Sequence, residues 1–409
     1  MTKISPFPKC CILPALFLFP FSLLLAQPSS EKTSTPFLAL EFSAQVGEIP
    51  KPSPYFPNIG PCEFNQLNFI VPYKPGQNWH IPYNSPDIGC AIVFGYLGNK
   101  AVLGNQVALL PNIAFETNKQ ARWGLQTKIG MGLSYFNNPY NIVSNPENSL
   151  IGSRITNITC LGFSYRYSPT EKLNLYAGLS IYHFSNGHYT LPNIGIDAST
   201  FSLGIKQYLK EKPNYKKATK AQSENTLDKS DTASEKYDNK IHFNLFAGIG
   251  RHQFGTASSS DGPRYSVYQL SLFLSKRYGR IHNWQAGLTL TYYADYYDFI
   301  INQETFSSNQ HLQASTIRPF IGHQFIMNHM GLLTQLGVNV YSPFDAKVNI
   351  YGNEGLASAL GPYLTIKLGI EYYLNSPLYS NKNKLLIGAY LETRPTGADF
   401  PELGLACSF

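Results

Sequence analysis

The chain has 409 residues, a formal net charge of +7 and only 14% charged residues. A soluble protein of this size would usually carry more charge, and no apolar run after residue 26 is long enough for a membrane-spanning helix. The 28 tyrosines, 26 phenylalanines and 32 glycines favour instead a fold of short alternating strands. The positive charge would suit phosphate-bearing lipids and simple solubility equally well.

The N-terminus has the pattern of a secretory signal peptide. Two lysines precede an apolar run from Cys10 to Ala26. The run ends on a small residue, as is typical of a signal-peptide cleavage site. Pro14 and Pro20 interrupt this run, and it is short for a transmembrane anchor. We therefore predict that residues 1–26 are a signal peptide.

Alternating segments of strand length, separated by polar turns, recur along the rest of the chain. The predicted strands cover residues 37–47, 63–73, 90–97, 105–116, 122–136, 154–167, a hairpin within 173–209, 241–250, 265–278, 282–293, 315–325, 331–341, 364–373, 384–393 and 402–409. In a soluble sandwich the apolar positions would face a core, whereas in a membrane barrel they would face lipid.

The chain ends on Phe409, and a terminal aromatic residue after an alternating strand resembles the assembly signal of outer-membrane barrel proteins. Together with the signal peptide, it favours the membrane. We predict an all-β fold, a transmembrane antiparallel β-barrel with an even number of strands, about 12–16.

Residues 210–240 are nearly all polar and predict a flexible loop. This loop divides the predicted barrel into an N-terminal half, 27–209, and a C-terminal half, 241–409. Because bacterial barrels have even strand numbers and short periplasmic turns, the loop would lie on the periplasmic side. The segment 186–196 would then face outward. We expect the chemistry in the first half and a purely structural role for the second.

Four cysteines follow the predicted cleavage point: Cys62, Cys90, Cys160 and Cys407. Cys62 and Cys90 could form a disulfide in an oxidising compartment, but spacing alone leaves this open. No CxxC pair or His/Cys cluster indicates a zinc site. We expect neither a metal nor an organic cofactor.

The hairpin at 173–209 carries three polar residues on otherwise apolar faces. Because strand side chains alternate between faces, His183 and Ser185 share the apolar face of the first strand, and Asp197 shares that of the second. At the outer interface a charged side chain costs only about 0–1 kcal/mol, against about 2–4 kcal/mol at the midplane. Ser185 and Asp197 are symmetric about Leu191, so a simple hairpin would place them opposite each other.

These residue types suit nucleophilic catalysis. A serine hydroxyl needs an adjacent base, for which His183 is the candidate, and Asp197 would hold the imidazole in the correct tautomer. Asn186 and Asn193, with backbone N–H groups of the loop, are candidate oxyanion donors. The alternative is an interfacial histidine that bonds to a loop, although His183 alone among the nine histidines has serine two residues later.

The sequence His183-Phe184-Ser185-Asn186-Gly187, followed by Pro192-Asn193 and then Asp197, resembles the motif of the lipid A 3-O-deacylase (PagL-type) outer-membrane family. That family places His-x-Ser-Asn at the end of one strand and an acidic residue, typically glutamate, fourteen positions beyond the histidine. The resemblance implies that His183 is the base, Ser185 the nucleophile and Asp197 the acid. It also implies that Asn186 and Asn193 help to build the oxyanion hole. The typical family barrel has eight strands, and this chain looks like the longer members, the acyloxyacyl hydrolases.

We therefore expect a serine esterase in the outer membrane of a Gram-negative bacterium, with lipid A or lipopolysaccharide as substrate. Its Ser-His-Asp site would lie on the lipid-facing wall near the outer leaflet and release an ester-linked acyl chain. We expect no nucleic-acid partner, and the sequence leaves open a homodimer and the acyl position cleaved. Two alternatives remain: a non-catalytic barrel, either a channel or a structural protein, and a phospholipid-directed esterase.

Overall fold

The computed structural model folds into two closed antiparallel β-barrels of eight strands each. It describes residues 39–71, 83–209, 238–255, 262–279, 281–327, 329–348, 355–375 and 383–409. The predicted signal peptide lies outside the described residues, and so does nearly all of the polar loop predicted at 210–240.

Eight strands form each barrel in chain order. The first barrel consists of β1 Ala39–Glu48, β2 Cys62–Val71, β3 Asp87–Tyr96, β4 Asn105–Glu116, β5 Trp123–Phe136, β6 Ile155–Tyr167, β7 Leu173–Ser185 and β8 Ile196–Tyr208. The second consists of β9 Ile241–Gln253, β10 Arg264–Tyr278, β11 His282–Tyr293, β12 Ser315–Met327, β13 Met330–Val338, β14 Leu364–Tyr373, β15 Lys384–Arg394 and β16 Gly397–Ser408. The predicted all-β, even-stranded antiparallel barrel fold is confirmed.

We had expected the two parts of the chain to be halves of one barrel, and this prediction is wrong. β1 pairs with β8 and β9 pairs with β16, so each part closes on itself. Alternation could not distinguish these arrangements, because it reports which face a residue occupies and not which strand lies beside it. Either arrangement satisfies the backbone, since closure removes the unpaired strand edges that lipid cannot solvate.

The first barrel is apolar outside and filled with side chains inside. Outward positions such as Leu179 and Leu203 are exposed. Inside, the ring of Phe64 stacks on Tyr182 with centroids 4.8 Å apart and on Phe184 at 6.0 Å. A cavity of about 30 Å³ lies beside Tyr182. Eight strands enclose an interior that side chains can fill, and here they pack it as a core.

A buried charged cluster occupies the other end of this lumen, away from residues 186–195. Lys206 Nζ lies 2.7 Å from Asp87 and 3.1 Å from Glu116, and Arg166 Nε lies 3.3 Å from Glu116. All four side chains are buried. Since buried charges are tolerated only when they are paired, the cluster holds β3, β4, β6 and β8 together from inside.

The described residues include four short helices, α1 Ala294–Asn302, α2 Gln310–Gln313, α3 Pro343–Val348 and α4 Gly355–Leu360. In the described part of the chain, no helix has the length and apolar character needed to cross a membrane. The helices follow β11 and β13, at the end of the second barrel that also holds the end of β9. The two barrels touch there, and also at the opposite end, where the Tyr83 hydroxyl donates to the carbonyl of Ile326 at 2.9 Å.

The disulfide that the sequence left open does not form. Cys62 and Cys90 are both free thiols, as are Cys160 and Cys407. Cys62 begins β2, whereas Cys90 lies opposite Phe69 near the other end of that strand. A disulfide requires Cα atoms no more than about 7 Å apart, and the ladder holds these two cysteines much further apart.

Replacing Lys206 by methionine should test the charged cluster. Asp87 and Glu116 each keep one other cation, so we expect a loss in the free energy of unfolding of about 3 kcal/mol, at the lower end for a broken buried pair. Urea unfolding in lipid vesicles, followed by tryptophan fluorescence, measures the loss. Lys172→Met, at an exposed position, is the matched control, and equal losses in the two variants would contradict the role of the cluster.

Candidate functional site

The β7–β8 ladder brings His183 and Asp197 directly opposite each other. His183 Nδ1 lies 2.7 Å from Asp197 Oδ1, and an ionised carboxylate only accepts, so the Nδ1–H group donates. The expected pairing of Ser185 with Asp197 is wrong. Ser185 lies beyond the β7–β8 ladder and pairs with Asn157 of β6, because the long connecting loop sets its own register through internal hydrogen bonds.

The imidazole and the carboxylate lie on the outer wall of the barrel. The side chains of His183 and Asp197 are 45% and 69% exposed, and the adjoining outward residue Ile181 is also exposed. An exposed ion pair adds at most about 1 kcal/mol to stability. Stability therefore explains this pair poorly, whereas a carboxylate bound to one ring nitrogen leaves the other ring nitrogen free to act as a base.

Ser185 differs from these two residues because it is buried, with 7% of its surface exposed. Residues 186–195, which we call the nucleophile loop, cover it. The Ser185 Oγ accepts hydrogen bonds from the Gly187 N–H at 3.1 Å and from Asn193 Nδ2 at 2.9 Å. Both acceptor positions of the hydroxyl are then used, which leaves its hydrogen available for donation to a base.

Gly195 lies close to both the candidate base His183 and the candidate nucleophile Ser185. A Cβ atom on Gly195 would lie 3.6 Å from His183 Cε1 and 3.9 Å from the Cβ of Ser185. Its φ of +84° also favours glycine. Within the described residues no hydrogen bond joins Ser185 Oγ to the ring of His183, and such catalytic contacts often tighten only when substrate binds.

The two candidate asparagines have different roles in the structure. The Asn186 amide donates from Nδ2 to the carbonyl of Thr190 at 2.7 Å and to Ser153 Oγ at 3.1 Å, so its hydrogens hold the loop. Asn193 accepts from the Asn186 N–H through Oδ1 at 3.2 Å and donates to Ser185 through Nδ2. The side chain of Asn193 and the backbone N–H of Gly187 are therefore the donors that lie next to Ser185.

His188 of the same loop lies against the second barrel. Its ring stacks on His252 with centroids 5.3 Å apart and an interplanar angle of 22°. Burial, and next the proximity of His252, lower the pKa of His188 to about 4, against an opposing effect of Asp399. The sequence carried no indication of this contact, because His252 is distant in the chain and belongs to the other barrel.

Two family models match the chain. The lipid A 3-O-deacylase (PagL) model matches residues 67–206, and the acyloxyacyl hydrolase C-terminal domain model matches residues 239–409. Together they span more than half of the chain, and their boundary falls between β8 and β9. A comparison with curated proteins gave no match.

Two solved structures are also similar to parts of the chain. The crystal structure of the outer membrane enzyme PagL is 16% identical with a TM-score of 0.31, and the match covers 40% of this chain and 97% of that chain. The crystal structure of Neisserial surface protein A is 8% identical with a TM-score of 0.30, and covers 43% and 99% respectively. Scores this low do not by themselves establish a fold or a function.

The depressed pKa of His188 predicts a pH-dependent stability. The group is neutral in the folded protein down to about pH 4 but takes up a proton near pH 6.5 when unfolded. The unfolded state therefore binds more protons between these values, and stability falls as the pH falls from about 6.5 towards 4. Urea unfolding across this range should show a smaller pH dependence for His188→Gln than for the wild type. His311→Gln, on α2, is the control, and identical pH dependence in all three proteins would contradict the assignment.

Proposed function

Because the chain belongs to the PagL-type lipid A 3-O-deacylase and acyloxyacyl hydrolase family, we propose that it is a serine esterase that removes an ester-linked acyl chain from lipid A. Family membership confirms the resemblance carried by the motif around His183 and Ser185. The protein is an outer-membrane protein of a Gram-negative bacterium and contains two β-barrels. The observation that carries the proposal is the 2.7 Å contact between His183 and Asp197 beside the buried Ser185.

In this proposal Ser185 Oγ attacks the carbonyl carbon of the ester while His183 Nε2 removes the hydroxyl proton. Asp197 holds the Nδ1–H group of His183 and stabilises the imidazolium. The negative charge that develops on the carbonyl oxygen forms beside the Gly187 N–H and Asn193 Nδ2. His183 then gives the proton to the departing sugar oxygen. In the second half of the reaction, water attacks the acyl group on Ser185 while His183 takes a proton from the water, and His183 then returns this proton to Ser185 Oγ.

The position of the site suits a substrate that stays in the membrane. His183 and Asp197 face outward at the end of β7 and the start of β8, above the exposed apolar positions of the same strands. A charged pair near the interface costs about 0–1 kcal/mol. An ester of a lipid could therefore approach from the side, without passing through either barrel.

The packed lumens argue against the channel alternative. In the first barrel, Phe64, Tyr182 and Phe184 fill the interior, and in the second a buried cluster around Phe246 and Tyr390 does the same. A phospholipid-directed esterase would use the same chemistry, and the nature of the released acyl chain discriminates between these two substrates.

Ser185→Ala should abolish acyl release, because no other group of the proposed site supplies the nucleophile. The wild type, Ser185→Ala and Ser180→Ala are expressed in a Gram-negative host that lacks the activity, and lipid A and phospholipids are examined by mass spectrometry. Ser180 lies on the same strand but faces the lumen, so its variant should behave as the wild type. We expect lipid A lacking one acyl chain with the wild type and with Ser180→Ala only. Identical lipid A profiles for the wild type and Ser185→Ala would refute the proposal, and loss of acyl chains from phospholipid alone would favour the other esterase.

Asp197→Asn keeps the shape of the side chain but removes its charge and can impose the wrong tautomer on His183. We expect kcat to fall by about 10²–10⁴-fold. Asp197→Glu should retain most of the activity, because the exposed strand end leaves room for one more methylene group. Hydrolysis of a soluble nitrophenyl ester in detergent micelles measures both variants, and wild-type kcat in Asp197→Asn would show that Asp197 does not support the base.

A further inference from the structure

The second barrel contacts the nucleophile loop through a hydrogen bond. The backbone N–H of Leu191 donates to Oε1 of Gln253 at 3.0 Å, between two buried groups. Gln253 is the last residue of β9. Its outward position in the strand would leave it exposed, but the loop covers it.

Gln253 is itself held in place by its own barrel. Its Nε2 donates to the carbonyl of Gly262 at 3.1 Å, and it lies opposite Arg264 in the β9–β10 ladder. The Arg264 guanidinium lies over the ring of Tyr189, 5.0 Å from its centroid. The end of this ladder therefore presents two adjacent side chains that contact the loop at Leu191 and at Tyr189.

Two further residues of the second barrel support the loop next to the nucleophile. A Cβ atom on Gly187 would lie 2.8 Å from Leu391 Cδ1 and 3.5 Å from Pro401 Cδ, so the second barrel packs directly against this glycine. The N–H of the same residue donates to Ser185 Oγ. Gly187 thus packs against the second barrel and also donates a hydrogen bond to Ser185.

These contacts bear on catalysis because the loop supplies both donors beside Ser185. Loops that are not tied down are more mobile than the strands they connect, and a buried N–H without a partner is costly. Donors accelerate a reaction when they are held in position before the charge develops. Leu191 lies between the two donors, Gly187 and Asn193, so a hydrogen bond at its N–H restrains both sides of the loop.

We propose that the second barrel positions the nucleophile loop of the first, and that Gln253 is the positioning residue through which it acts. This inference rests on the proposed esterase function. It assigns the C-terminal domain a part in catalysis without a contact to substrate, in place of the purely structural role expected from its sequence.

The test compares Gln253→Leu, which removes the acceptor, with Gln253→Glu, which keeps an oxygen for the Leu191 N–H. Gln335→Leu is the matched control, since Gln335 is a buried glutamine of the same barrel that bonds to Gln285. The readouts are kcat and KM on a soluble nitrophenyl ester and the rate at which a fluorophosphonate labels Ser185. Heat-modifiable mobility in gels verifies that each barrel is folded.

We expect kcat and the labelling rate of Gln253→Leu to fall by about tenfold or more, with KM little changed, because the donors are displaced rather than the binding surface. Gln253→Glu should lose less, and Gln335→Leu should match the wild type. An active wild type with an unchanged Gln253→Leu, a change in KM alone, or equal losses in the leucine and glutamate variants would overturn the inference. Failure of the proposed function appears differently, as a folded wild type without esterase activity.

Hydrogen exchange gives a readout that does not depend on activity. The Leu191 amide should exchange faster in Gln253→Leu than in the wild type or in Gln335→Leu, because its buried partner is gone. Equal protection of Leu191 in all three proteins would show that Gln253 does not hold the loop.

Discussion

Closure of the backbone hydrogen bonds within each set of eight strands determines the rest of this structure. In lipid an unpaired strand edge is prohibitive, and here β1 closes on β8 while β9 closes on β16. Eight strands enclose a space that side chains fill. With both interiors packed, chemistry on a lipid can occur only on the outer wall or at the strand ends, and this is where His183 and Asp197 lie.

The register of one hairpin then divides the candidate site into an exposed and a buried part. The ladder of β7 and β8 ends just beyond the pair His183–Asp197, with Phe184 opposite Ile196. Ser185 follows the ladder and is buried beneath the nucleophile loop. The charged pair can therefore remain in contact with the interface while the buried Ser185 is held by Gly187 and Asn193. A hydrogen bond is electrostatically stronger in such buried surroundings than in water.

Much of the candidate site was accessible from the residues themselves. Strand periodicity placed His183 on the outward face, and the spacing to Asp197 suggested that a carboxylate would return to it. The separate roles of Asn186 and Asn193 were not predictable, since they depend on which carbonyl or hydroxyl each amide meets after the loop closes. The contact of Leu191 with Gln253 was also hidden, because Leu191 lies in a loop of the first barrel and Gln253 ends a strand of the second.

The amino-acid sequence alone determined the strand segments, the lipid-facing and lumen-facing positions, and the identity of the nucleophile, base and acid candidates. The strand segments and the faces follow from local alternation along the chain, and the candidate roles follow from residue chemistry together with the resemblance of the motif to a known family. Only the tertiary structure decided that there are two barrels, that Cys62 and Cys90 stay apart, and that His183 rather than Ser185 faces Asp197. The physical reason is that a strand's own sequence states which way its side chains point, whereas its neighbours and its register are set by closure of the whole barrel and by the loops.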